Sequence, residues 1–218
     1  MQRPPAIIAI GKNYLDHATE MGGKPPEHLM VFTKNPASVV GDGDAIRIPA
    51  ICRVNGPQVD WEGELAVIIG RDCKDASPAE ALAFVSGYAV ANDVSARWWQ
   101  LKGSGGQFCR GKGFDTFCPM SVPVPAASVP DPQALRIITR VNGAVMQDAG
   151  TDGMVFGVAR IISDLSQGTT IVAGTVILTG TPAGVGAGRT PPVFLAHGDV
   201  VEVEIPGVGR LRNPVIEE

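Results

Sequence analysis

The run VDWEGELAVIIG, residues 59–70, sets three acidic residues directly against an unbroken apolar segment. Asp60, Glu62 and Glu64 alternate with Val59, Trp61 and Gly63. Side chains at i, i+2 and i+4 of a strand share one face. In an extended chain these carboxylates would crowd at the mouth of a buried strand. Like charges held close repel, and burial disfavours the charged form further. A cation or a proton would make the arrangement tolerable. Read by itself, the stretch also fits a solvated strand end with ordinary surface acids.

The chain around it has 218 residues, 44% of them hydrophobic and 18% charged, values typical of a globular protein. That length suffices for a substantial core. The net charge is −4, with no basic cluster of the kind that marks a nucleic-acid or membrane surface. The opening MQRPPAIIAIGKNY lacks the long apolar stretch and small-residue cleavage site of a signal peptide. Apolar runs such as LAVIIG are too short to span a bilayer. Cys52, Cys73, Cys109 and Cys118 form no CxxC pair, and they read as free thiols, chiefly small buried hydrophobes, in a reducing compartment. A cytoplasmic location is the expectation.

Glycine and proline are abundant and scattered, which suits short strands joined by tight turns. Strands are expected at 6–11, 30–34, 45–49, 61–70, 87–95 and 175–182. Hairpins are expected at 135–149, around Asn142–Gly143, and at 199–215. Helical segments are expected at 13–21, at 96–103, at 154–167 and at 77–85, where Ser77, Pro78 and Glu80 make a capping box. With strands dominant, the class is α+β with a mainly antiparallel, rolled or barrel-like sheet and a few short helices.

If strands 61–70 and 87–93 share a sheet, Asp93 approaches Glu62 and Glu64. Three carboxylates suit a hard divalent cation, Mg2+ or Mn2+, and leave coordination positions open for a chelating oxo acid. Arg97 and Gln100 stand three apart and share a face on a helical turn. Lys112 lies between Gly111 and Gly113 in CRGKGFDTF, where glycines permit close backbone approach. It could hold an anionic substrate or a developing enolate, although an exposed solvated lysine fits the sequence too. His17 and Glu20, at i and i+3, could activate water, or could be a plain surface pair. His28 and His197 read as loop residues without a role. TGTPAGVGAGR is not a nucleotide loop, because it lacks GxxxxGK[ST] and prolines follow it. Backbone N–H groups near Thr181 could still hold a substrate carboxylate.

Taken together, IGKNYLDHATEMG, VFTKNPAS, DWEGELAVIIG, GYAVANDVSARWWQ, GKGFDTFCP, VNGAVMQ, ILTGTPAGVG and HGDVVEVEIPGVG resemble the fumarylacetoacetate hydrolase superfamily along nearly the whole chain. The resemblance implies that Glu62, Glu64 and Asp93 bind Mg2+ or Mn2+, with Ca2+ as a stand-in in crystals. It implies that His17 and Glu20 form a water-activating dyad on a mobile lid, around 13–30, of a single catalytic domain spanning 1–218. Lys112 looks like the lysine that polarises the substrate carbonyl or steadies the enolate. Lys34, Arg97, Gln100 and Thr181 match substrate-binding positions. Asp60 matches no ligand position and is left as a support for the ligands. A homodimer is implied as well.

The activity implied first is hydrolysis of C–C bonds in acylpyruvate-like diketo acids, such as fumarylacetoacetate or fumarylpyruvate, through a metal-bound enolate. Oxaloacetate tautomerase or decarboxylase activity, or 2-hydroxyhepta-2,4-diene-1,7-dioate isomerase activity, is the alternative. GKGFDTFCP, TRVNG and TPPVFLAHGD look like the branch holding oxaloacetate tautomerases and bacterial enzymes of aromatic-acid breakdown. A silent dicarboxylate-binding protein ranks last. Gly113 in place of a frequent Ser, and Met120–Ser121 in place of Leu-Gly, depart from the family pattern.

Overall fold

The computed structural model describes residues 3–20, 22–23 and 26–218. Its spine is a six-stranded sheet in the order Val124–Pro125, Val85–Asn92, Gly63–Ile69, Val176–Leu178, Ile7–Gly11, Met30–Lys34. Within it only Ile7–Gly11 and Val176–Leu178 run parallel. A second sheet of five strands runs Ala144–Gly150, Arg136–Val141, Val200–Ile205, Gly209–Glu217, Ile46–Ile48. Both expected hairpins are present in it, and Asn142 and Gly143 take the positive φ (52° and 82°) that a two-residue hairpin turn requires. The architecture is therefore α+β and mostly antiparallel. Among the described residues neither sheet closes on itself, so the barrel-like alternative does not form.

The second sheet packs on one face of the first. Leu65, Val67, Ile69 and Val90 from the six-stranded sheet meet Ile137, Val141, Val203 and Leu211 from the other in one core. The opposite face of the first sheet carries Ala9, Ala66, Ala89 and Ala91, which cluster with Phe32 of the same sheet and with Cys118 and Met120 from outside it. The strand Gly63–Ile69 is thus covered on both sides, which explains its unbroken apolar run.

Three local expectations change. The strand begins at Gly63, not at Trp61; Val59–Asp60 pairs separately with Ser95–Ala96. Asp60 therefore does not share a face with Glu62 and Glu64. The capping box of 77–85 forms, with Ser77 Oγ donating to Glu80 Oε2 at 2.6 Å. The chain beyond it makes only a 3-10 turn, Ala81–Phe84, because Ala81 alone of that turn is buried and no apolar stripe anchors a longer helix. Lys112 ends a short helix, Phe108–Lys112, in a stretch for which the sequence suggested no element. The helix Val158–Ser166 follows its apolar spacing, burying Val158, Ile161 and Ile162. Cys52, Cys73 and Cys118 are buried free thiols, while Cys109 is exposed. No described helix is long and apolar enough to cross a membrane.

Candidate active site

Strand pairing places the acids. Gly63 lies opposite Asn92 and Glu64 opposite Ala91, and the Asp93 N–H donates to the Glu62 carbonyl at 2.8 Å. Asp93 thereby arrives beside the two glutamates, and carboxylate oxygens of Glu62, Glu64 and Asp93 lie within 4.8 Å of one another. Two amide side chains fix the bend that precedes the strand. Asn92 Oδ1 accepts from the Glu62 N–H at 2.9 Å, and Gln147 Oε1 accepts from the Gly63 N–H at 3.0 Å.

Cations surround part of this cluster. Lys112 Nζ donates to Glu62 Oε2 and Asp93 Oδ2, each at 2.7 Å, and to Ser95 Oγ at 2.6 Å. Arg97 reaches Glu62 Oε1 at 2.6 Å and Gln100 Oε1 at 3.0 Å with one nitrogen, so the shared helical face expected for Arg97 and Gln100 is realised. Gly111 lets this come about: a Cβ there would lie 2.7 Å from the Gln100 Cα. Burial disfavours the charged form of Glu62, but Lys112 and Arg97 outweigh it and hold its carboxyl down at about 2. The same contacts work in reverse on Lys112. Burial pulls its ammonium down, and Asp93 and Glu62 raise it by more.

Glu64 is the exception. Burial, then Asp93, then Glu62 push its carboxyl well above the ordinary range. Lys112 and one N–H, from Gly180 at 2.8 Å, only partly offset this. Among the described residues Glu62 and Asp93 each meet two cations, whereas Glu64 forms no ion pair, so its carboxyl is the one left without a compensating charge. An all-oxygen donor set with that deficit fits a hard divalent cation. The crowding met in the sequence has this physical meaning.

The cluster opens into a cavity of about 350 Å3. Glu62, Glu64, Lys112, Arg97, Gln100, Thr181, His17 and Lys12 line its polar part, and Ile10, Met30, Phe32, Leu101 and Phe108 its apolar part. His17 Nδ1 is 3.3 Å from Glu20 Oε2, at the end of the short helix Leu15–Glu20. Glu20 in turn accepts from the Gly184 N–H at 3.0 Å. Burial raises the Glu20 carboxyl, but the hydrogen bonds from His17 and from the Gly184 and Val185 N–H groups lower it overall. Of the segment 13–30 read as a lid, Met21, Lys24 and Pro25 lie outside the described residues.

Like Arg97 and Gln100, the other two expected substrate-binding side chains are engaged with the protein itself. Lys34 is buried away from the cavity lining; its ammonium donates to Asp93 Oδ1 at 2.6 Å and to the Lys112 carbonyl. Thr181 lines the cavity, but its hydroxyl donates to the Gly63 carbonyl at 2.9 Å and accepts from Gln147 Nε2 at 2.7 Å. The glycine-rich loop after Thr181 also serves the protein's own acids. Asp60, fully buried, accepts from the Trp61, Gly186 and Ala187 N–H groups at 2.9, 2.7 and 2.9 Å, and from Arg97 Nε and Nη2 at 2.9 and 2.6 Å. Side chains at the two glycines would block this: a Cβ at Gly186 would lie 2.7 Å from Asp60 Oδ1, and one at Gly188 would collide with the Glu20 carboxyl. Asp60 is thus the anchor of Arg97, a task that no local pattern announces.

Residues 6–216 match the family model described as fumarylacetoacetate (FAA) hydrolase, C-terminal. The chain belongs to that family. It is 45% identical over 215 residues to the human mitochondrial oxaloacetate tautomerase FAHD2A, covering 98% of this chain and 67% of that one. It is 45% identical over 212 residues to the oxaloacetate tautomerase YisK of Bacillus subtilis (strain 168), covering 96% and 69%. The chain thus spans about two thirds of the length of these relatives. The crystal structure of 2-hydroxyhepta-2,4-diene-1,7-dioate isomerase from Mycobacterium marinum superposes with a TM-score of 0.83 at 40% identity, over 99% of this chain and 76% of that one.

Proposed function

We propose that this family enzyme is a divalent-metal-dependent tautomerase of oxaloacetate-like 2-oxo acids. The observation that carries the reading is one cavity whose wall holds both Glu62 and Glu64, with Asp93 buried beside them in the same acidic cluster, and His17, whose Nδ1 is paired with Glu20 behind it. The names of the relatives favour tautomerisation over the C–C hydrolysis that the sequence put first.

Glu62, Glu64 and Asp93 would hold Mg2+ or Mn2+, and a cation bound there would supply Lewis-acid polarisation of a 2-oxo acid. The chain's own groups do the rest. Glu20 ties one nitrogen of His17 and leaves the other to take the proton from C3 of the keto form. Return of a proton at the 2-oxo oxygen completes the enol, so no water is consumed. The positive charges of Lys112 and Arg97, fixed before substrate arrives, favour the enolate oxygen over the neutral ketone. Lys34 holds Asp93 and the Lys112 backbone in place, and Asp60 holds Arg97.

C–C hydrolysis of acylpyruvates is the second reading. The apolar wall of Met30, Phe32, Leu101 and Phe108 favours it, since it would accept an acyl chain. The two readings separate when oxaloacetate and acetylpyruvate are followed side by side with Mg2+. Accelerated enol–keto exchange of oxaloacetate, without pyruvate from acetylpyruvate, is expected. Rapid release of pyruvate from acetylpyruvate would establish the hydrolase instead.

A further inference from the structure

We infer that Lys12 determines specificity in this cavity by pairing with the second carboxylate of a dicarboxylic oxo acid, the C4 carboxylate of oxaloacetate. The inference rests on the reading of the cavity as an oxo-acid site.

Lys12 lines the same cavity as His17 and Glu64. It follows directly on the strand Ile7–Gly11, with φ at 55°. That left-handed conformation is strained for a residue with a Cβ. Its neighbour imposes it. Asn13 is fully buried, and its side chain donates to the Phe156 and Thr179 carbonyls at 3.0 and 2.8 Å and accepts from the Phe156 N–H at 2.8 Å. The Val155 N–H donates to the Asn13 carbonyl at 2.8 Å. A glycine would take this conformation without penalty, yet a long cation stands there.

Charge accounting in the cavity points the same way. Arg97 is paired with Asp60 and Glu62, Lys112 with Glu62 and Asp93, and His17 with Glu20. Among the described residues Lys12 makes no ion pair and no side-chain hydrogen bond. It is the lining cation left for an anion that the protein does not supply. A monocarboxylic acylpyruvate offers no such group once its carboxylate and oxo oxygens are taken up at the acidic cluster. A dicarboxylate does.

The test uses Lys12→Gly, which removes the charge and relieves the backbone strain together, and Lys12→Arg, which restores the charge. Calorimetry with Mg2+ present measures binding of non-enolisable 3,3-difluoro-oxaloacetate and of oxalate, which fills only the chelating end. Lys12→Gly is expected to weaken difluoro-oxaloacetate relative to oxalate by about 10-fold or more, the size of one charge-assisted hydrogen bond, and Lys12→Arg to restore most of it. An unchanged ratio in Lys12→Gly, in a protein that still interconverts oxaloacetate tautomers, would overturn the inference and leave the proposed function standing. A shifted ratio in a protein that never accelerates tautomer exchange would support the inference and overturn the proposed function.

Discussion

Replacing Asp60 by Asn keeps the shape of the buried carboxylate and removes its charge. Five donors converge on Asp60: three backbone N–H groups and two nitrogens of Arg97. A carboxylate accepts from all of them, whereas an amide must turn its NH2 onto at least one pair and lose those bonds. Removing one partner of a buried ion pair costs roughly 3–5 kcal/mol. Glu62 still partners Arg97, so the low end is expected. For a protein of this size, about 2–4 °C of Tm accompanies each kcal/mol, so a fall of roughly 6–12 °C is anticipated. Urea denaturation of the apoprotein reads the free energy. A cycle with Arg97→Met reads the coupling, and the double variant should lose clearly less than the two singles summed. Activity offers an independent readout, because Arg97 freed from Asp60 no longer holds a fixed position against Glu62, and KM should rise. A loss below about 1 kcal/mol with additive singles would refute the argument that Asp60 anchors Arg97, since that is the scale of an exposed pair.

Glu64→Gln should fold at least as stably as the parent in chelator, because the parent carboxyl is already pushed toward its neutral form. The parent, but not the variant, should gain about 2.7 kcal/mol from Mg2+ at 100 times its Kd. The sign of the proton linkage follows from the raised carboxyl. Its stabilising contribution is present below the unfolded value and is lost as pH rises through the folded one. Mg2+ must displace that proton, so affinity should increase with pH and protons should be released; calorimetry in buffers of different ionisation enthalpy checks this. His17→Ala should keep Mg2+ binding and lower kcat by roughly 10²–10⁴, and a near-parental rate would remove His17 from proton transfer. The Glu20 carboxyl is lowered, so the clasp between the helix Leu15–Glu20 and the Gly184 loop is fully formed above the unfolded value and loosens as pH falls through the folded one. Hydrogen exchange at the Gly184 N–H should quicken relative to the core as the solution is acidified through and below the ordinary carboxylate range, after correction for the intrinsic rate.

Much of the site was legible because its residues sit on local patterns. Glu62 and Glu64 precede an apolar run, Asp93 ends the next strand, and antiparallel pairing of consecutive strands brings them together. Arg97 and Gln100 needed only the helical spacing. Asp60 was misplaced because the strand pattern was carried through Trp61, where the chain bends. Its partners Gly186 and Ala187 are more than 120 residues away, and only the folded chain delivers them. The glycine loop resembled an anion cradle and is one, but for Asp60 and Glu20. Lys34 and Thr181 were expected to bind substrate from their positions in the chain, and in the structure both are bonded to the protein's own groups. The capping box at Ser77 was correct and the helix was not, since caps start a helix and buried apolar side chains sustain it. Lys12 carries no sequence signal, because its backbone conformation is imposed by hydrogen bonds from Asn13 to residues 156 and 179.

The central claim is that this cavity moves the C3 proton of an oxo acid. Proton NMR of oxaloacetate in D2O tests it most directly, by following deuterium entry at C3 with the parent protein and Mg2+, after chelation, and with His17→Ala. Exchange faster than the spontaneous rate is expected, confined to one of the two C3 positions, and lost on chelation and in the variant. Exchange no faster than the uncatalysed rate, with pyruvate accumulating instead, would contradict it.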